Sequence, residues 1–194
     1  MNQKNLLEVD WSKIPAPSDD GAAAHLVGMT IPPLSLVATD DTSVIPSALP
    51  GRTVVFAYPR TGEPGRISLV DDWDMIPGAR GCTPQTCAFR DLYAELKAAG
   101  AKYVFGLSTQ SNAYQTEMAS RLHLPFPVLS DENLALTRAL DLPTMEVAGL
   151  TLIKRLALIV DDGRITHVFY PVFPPDRNAG DVLAWLKENR VSPS

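Results

Sequence analysis

Two cysteines, Cys82 and Cys87, are the only thiols in the chain and stand five residues apart. Cys82 lies directly before Thr83-Pro84, a pair that reads as a helix start. Threonine can cap a helix, and proline suits a first position whose N–H has no intrahelical partner. A thiol placed there meets the positive end of the helix dipole and backbone N–H groups without partners. Both favour the thiolate, the nucleophilic form of cysteine. Cys87 would lie about one turn further along the same helix. The competing interpretation is two small buried hydrophobic residues. The three histidines, at 25, 123 and 167, are far from the cysteines in sequence, and a structural zinc site usually needs four Cys or His ligands. No metal or other cofactor is implied.

The spacing restricts what the two thiols can do together. Five residues along a continuous helix turn about 500°, roughly 140° net, so the side chains point in different directions. Their Cα atoms would also lie beyond the ~7 Å limit for a disulfide. Bridging therefore requires the first turn to unwind. A C-x-x-C pair, by contrast, starts with neighbouring sulfurs. Thiols that meet only after unwinding suit a two-step cycle, in which one reacts while folded and the second resolves it.

The elements that hold this segment are legible from breakers and periodicity. Residues up to about 27, with Pro15, Pro17, Asp19, Asp20 and Gly21, read as an extended N-terminal arm or a short N-terminal helix, outside the core. A short strand is expected within 34–38 and a turn at 39–43. Arg52 to Tyr58 is β-branched and aromatic and reads as a buried strand. From Pro59 to Gly81 no period survives, and a loop of that length is usually functional or disordered. Phe89, Leu92, Tyr93 and Leu96 then mark one face of a helix that Gly100 ends. A strand at 103–107, a helix at 112–122, an extended piece at 126–129 and a short helix at 134–140 follow. Strands at 156–160 and 165–170 flank an Asp162-Gly163 hairpin turn, and 179–189 forms a closing amphipathic helix. This order predicts an α/β fold, a mixed sheet with helices on both faces, with the layout of a thioredoxin-like domain over residues 28–190 and a tail at 191–194.

Composition narrows the function. The 194 residues are 45% hydrophobic and carry a formal charge of −5. That balance argues against nucleic acid as the main partner, since phosphate binding needs a basic face. The longest aliphatic run, Leu156 to Val160, is far short of the roughly 20 residues that span a bilayer. Nor does the stretch from Met1 to Asp10 hold the apolar core of a secretory signal. A cytoplasmic protein without a membrane partner is the expectation.

The segment Gly81-Cys82-Thr83-Pro84-Gln85-Thr86-Cys87-Ala88-Phe89-Arg90-Asp91 resembles the active-site helix of the peroxiredoxins. It is nearest the Q-type, or bacterioferritin-comigratory-protein-like, branch. Val54–Pro59, Val104–Ser111, Leu124–Glu132 and Arg155–Ile165 resemble further segments of that family in the same order. The resemblance implies a thiol-dependent peroxidase of the atypical 2-Cys type. It would reduce hydrogen peroxide or organic hydroperoxides through a sulfenic acid and an intramolecular disulfide, and a thioredoxin-like reductant would recycle it. It implies Cys82 as the peroxidatic cysteine, Cys87 as the resolving one and Arg155 as the arginine facing the reactive sulfur. The molecule would be a monomer or homodimer. The family pattern also carries Thr or Ser three residues before the reactive cysteine, where this chain has Ala79. Either Thr61 or Thr83 could supply the hydroxyl, or none does. This departure and the long 60–81 loop keep a second reading open: a redox-sensing or interaction module on the same fold without efficient turnover. A disulfide reductase is disfavoured because C-x-x-C is absent.

The remaining candidates carry less chemistry. His123 reads as a helix-end residue, His167 as a strand-face residue and Trp73 as a packing residue. Arg80 and the Asp71-Asp72-Asp74 patch read as solvated, without the ligand spacing of a cation site. The aromatic, proline-rich stretch Tyr170–Pro175 reads as packing near the active helix or as a contact surface.

Overall fold

β3 (Arg52–Ala57) is buried along its whole length, as its β-branched and aromatic run predicts. In the computed structural model, which describes residues 9–190, it lies inside a seven-stranded sheet. The strand order is β2 (Ser43–Val44), β1 (Leu36–Ala38), β5 (Val128–Ser130), β4 (Tyr103–Ser108), β3, β8 (Leu156–Asp161) and β9 (Arg164–Phe169). The pairs β3–β4 and β4–β5 are parallel. The pairs β1–β2, β1–β5, β3–β8 and β8–β9 are antiparallel. The first eight residues and the expected tail at 191–194 lie outside the described residues.

Side chains alternate across a strand, so β3 feeds two cores. Val54 and Phe56 point to one face, with Val104 and Ile159. That face is covered by α1 (Cys82–Asp91), α2 (Tyr93–Ala98), α3 (Asn112–Arg121) and α5 (Asn178–Glu188). Val55 and Ala57 point to the other face, with Phe105 and Leu158, beneath α4 (Ala135–Leu140). This is the expected thioredoxin-like layout. Phe56 stacks on Phe89 of α1 with centroids 4.0 Å apart and planes at 4°. Burying a phenylalanine contributes about 1.5–3 kcal/mol, so this contact fixes the second half of α1 on the sheet.

Four local expectations need correction. Helix α1 begins at Cys82 itself, with Gly81 as its N-cap at φ +105°. Thr83 is therefore not the cap, nor is Pro84 the first helical residue. The helix also breaks at Leu92, whose N–H bonds back to Ala88 and Arg90, and α2 restarts at Tyr93. No proline or glycine marks that break. The region between α4 and β8 holds an unanticipated hairpin of β6 (Thr144–Val147) and β7 (Leu150–Ile153). Its turn places Ala148 and Gly149 at φ +50° and +76°, and alanine gives no turn signal there. Lastly, the arm is not outside the core, because Ala23 and Leu26 are buried in the second cluster.

Sheet topology explains where the site forms. Ala57, the last residue of β3, pairs with Leu156, the first of β8. The chain therefore leaves β3 toward the 59–81 loop at the same sheet end where Arg155 precedes β8. The loop returns through Ala79, which is buried with Trp73, Val147 and Leu152 in a small third cluster. Trp73 thus packs, as expected.

Candidate active site

Cys82 is the first residue of α1 and is almost fully buried. Its Sγ lies 3.3 Å from Nη2 of Arg155 and 3.5 Å from the carbonyl oxygen of Ala79. The sequence places these residues 73 positions apart, and the β3–β8 pairing brings them together. Arg155 is itself only 2% exposed, so its charge is screened little by solvent.

The guanidinium is held through two of its three nitrogens. Nη2 faces the carbonyls of Gly78, Ala79 and Arg80 at 3.1, 3.3 and 3.1 Å. Nη1 donates to Oε1 of Gln85, and Nε2 of Gln85 donates to Oδ1 of Asn178 at 2.9 Å. Gln85 and Asn178 are buried as well. Arg155 Nε has no partner among the described residues. Positive charge therefore sits at the sulfur inside a cage of backbone oxygens, and a planar guanidinium suits that geometry. A cavity of about 120 Å³ lies beside this cage, with Gly78, Arg155, Lys154, Tyr170 and Pro17 among its lining residues.

Sequence reasoning assigns no role to Gln85, although it lies within the Gly81–Asp91 segment, and none to Asn178. Gln85 has a weak signal, since it lies three residues after Cys82 and so on the same helix face. Asn178 has none, because α5 reaches the site only through tertiary packing.

Cys87 occupies different surroundings. It is buried in the first core cluster with Phe56 and Phe89. Burial pushes its thiol above the usual value, and Asp91 adds to that while Arg90 opposes it. Both cysteines are free thiols. They share one folded helix, and the geometry keeps their side chains on different sides of it.

The other candidate positions sort as follows. Thr61 is buried, with its N–H and hydroxyl both directed at Oε1 of Gln110. Thr83 is buried in the first turn. Among the described residues neither contributes a hydroxyl to the sulfur, whose polar partners are Arg155 and the Ala79 carbonyl. Arg80 is not solvated as expected. It is largely buried and pairs with Asp74 at 3.8 Å, which takes Asp74 out of the solvated patch too. No cluster of potential metal ligands exists among the described residues. Tyr58 donates to Gln115 at 3.0 Å, and burial first, then the charge of nearby Cys82, pushes its phenol well above the usual range. His167 stacks on Trp185 with centroids 4.8 Å apart, and burial lowers its pKa. His123, at φ +51°, ends α3. Tyr170–Pro175 packs near α1, with Pro175 against Gly81.

Fold and site together define a thioredoxin-like thiol protein, and the chain matches the Redoxin family over residues 26–183. Peroxiredoxin Q of Sedum lineare is 32% identical over 162 residues, covering 82% of this chain and 77% of that relative. The rice (Oryza sativa subsp. japonica) peroxiredoxin Q is also 32% identical over 162 residues. The chain spans 66% of the rice protein's length. Both relatives are described as chloroplastic. Among solved structures, peroxidoxin BcpB from Mycobacterium tuberculosis superimposes with a TM-score of 0.67 at 26% identity, covering 85% of this chain and 98% of that one. PrxQ from Xylella fastidiosa gives 0.66 at 21% identity, covering 84% and 95%, a likeness of fold. The chain belongs to the peroxiredoxins, within the Redoxin family, and is similar to their Q-type members.

Proposed function

We propose that this protein is a thiol-dependent peroxidase, with Cys82 as peroxidatic residue, Cys87 as resolving residue and Arg155 as the cation that stabilises reacting sulfur and oxygen. The observation that carries it is the 3.3 Å approach of a buried guanidinium to a sulfur at a helix start. Thiolate at Cys82 attacks the nearer oxygen of a hydroperoxide. An S–O bond forms, the O–O bond breaks, and water or an alcohol leaves after taking a proton. Sulfur is oxidised by two electrons to sulfenic acid. Positive charge and hydrogen-bond donors act where the leaving oxygen gains negative charge.

The first turn of α1 then unwinds. Cys87 thiolate attacks the sulfenic sulfur, the S–S bond forms, and hydroxide leaves as water. A dithiol of the thioredoxin class restores both thiols by exchange and leaves as its own disulfide. Organic hydroperoxides are included as substrates. Support for them comes from the Xanthomonas campestris bacterioferritin comigratory protein, a fold neighbour at TM-score 0.62 whose structures concern alkyl peroxide reduction. The proposed assembly is a monomer or homodimer, and the proposed compartment is the cytoplasm.

A second reading, a redox sensor with slow turnover, is favoured by one observation. Position 79, where the family pattern has a hydroxyl-bearing side chain, is alanine, and what it offers the sulfur is its backbone carbonyl at 3.5 Å. Steady-state consumption of hydrogen peroxide with thioredoxin and its reductase separates the two. Sustained turnover, with an oxidised intermediate two hydrogens lighter and bridged between Cys82 and Cys87, is expected. One oxidation without recycling would select the sensor. Turnover that persists in Cys82→Ser would refute the assigned nucleophile.

A further inference from the structure

Gly81 is the N-cap of the reactive helix, and two distant residues press directly on it. A Cβ there would lie 2.6 Å from Cγ of Pro175 and 2.7 Å from Cη2 of Trp11. The indole and the proline ring thus rest on bare backbone with no space between. Glycine is required twice over, for this approach and for its φ of +105°.

Trp11 is itself fastened. Its Nε1 donates to Oδ2 of Asp176 at 3.0 Å. Its ring meets Phe173 edge-on, with centroids 6.0 Å apart. The short turn carrying it, Trp11–Lys13, is capped by Asp10, whose carboxylate accepts from Ser12 N–H. Hydrogen bonds from Ser12 and Lys13 hold that carboxyl down at about 2, so the cap persists across the neutral range.

We propose that Trp11 is a positioning residue that clamps the first turn of α1. With Pro175 it holds Gly81, and hence Cys82, folded while the sulfur meets peroxide. It must then lift before Cys87 can close the disulfide. The inference rests on the peroxidase reading and adds a timing element to it. Unwinding residues 82–87 displaces the backbone on which the indole is seated, so the free energy of that contact adds to the cost of unwinding. The clamp therefore lengthens the life of the sulfenic acid. A second hydroperoxide can use that time. It transfers one oxygen to the sulfenic sulfur, giving sulfinic acid and water or alcohol.

The test is rapid-quench mass spectrometry of the full chain after hydrogen peroxide, counting Cys82 sulfenic acid, disulfide and sulfinic acid. In Trp11→Ala, conversion of sulfenic acid to disulfide should be about fivefold faster, the effect of losing one aromatic contact. The peroxide concentration giving half sulfinic acid should rise by the same factor. Trp11→Phe keeps a ring on Gly81 and should restore most of the wild-type partition. Unchanged partition in Trp11→Ala, even with a lowered melting temperature, overturns the clamp. If Trp11→Ala does not fold, Asp176→Ala removes only the indole's hydrogen-bond acceptor at an exposed position. It should shift the partition the same way by about twofold, and no shift there also overturns the proposal. Wild type that forms no sulfenic acid at Cys82 would defeat the peroxidase reading instead, so the two failures are distinguishable.

Discussion

At the start of α1 the sulfur of Cys82 lies 3.3 Å from a buried guanidinium, whereas about one and a half turns later Cys87 lies among the aromatic rings that bind the helix to the sheet. The first end is polar, caged by carbonyls and linked through Gln85 to α5. The second is apolar, and burial keeps its thiol protonated. One helix therefore carries a charged working end and an anchored end. The contrast fits the order of events in the proposed cycle, in which Cys82 reacts in the folded helix and Cys87 becomes a nucleophile only once unwinding takes it out of the core.

The largest expected effect is at the working end. Arg155→Met should slow the first oxidation of Cys82 by about 10²–10³-fold, the cost of losing a preorganised charge at developing negative oxygen. Stopped-flow oxidation with stoichiometric peroxide checks it. A rate unchanged within a factor of two would erase the contrast. At the anchored end, Phe89→Ala should destabilise the fold by about 3–5 kcal/mol through the lost stack on Phe56. Denaturant unfolding measures this.

Gln85→Leu tests the link from the working end to α5 more finely. It leaves Nη1 of Arg155 and the Asn178 carbonyl without their partner, and should cost about tenfold in the first oxidation. Melting should shift only modestly.

The smallest effect concerns pH. The Cys87 pKa is raised in the fold above its ordinary value of 9.0 by burial. Protonated Cys87 therefore stabilises the folded helix fully below about pH 9. That stabilisation is lost as pH rises through the higher folded value. Disulfide formation from preformed sulfenic acid should accelerate several-fold above pH 9, because the thiolate attacks. A rate that levels off at neutral pH would show that Cys87 is not sealed by the core.

Much of this was readable beforehand, for physical reasons. A helix start next to Cys82 and the Asp162-Gly163 hairpin depend on local spacing and hold in the structure, although Gly81 takes the cap position read for Thr83 and the helix expected through Phe89 and Leu96 is split at Leu92. In the sequence Gly81 is legible as the end of the aperiodic loop and the first residue of the segment resembling the peroxiredoxin helix. Its real constraint comes from Trp11 and Pro175, which no local pattern connects to it. Arg80 looked like a solvated charge, because its pairing with Asp74 depends on how the long loop folds back. The β6–β7 hairpin was missed because Ala148, not Asn or Asp, occupies a left-handed turn position. Arg155 could be named from resemblance, but its cage of carbonyls and its relay to Asn178 are products of tertiary packing.

The most direct test of the two-ended helix is to expose Cys87→Ser and Cys82→Ser, each folded, to one equivalent of hydrogen peroxide with a sulfenic-acid-specific carbon nucleophile present. Fast, stoichiometric labelling of Cys82 in the first protein and none of Cys87 in the second is the predicted result. Equal labelling of the two thiols would contradict the account.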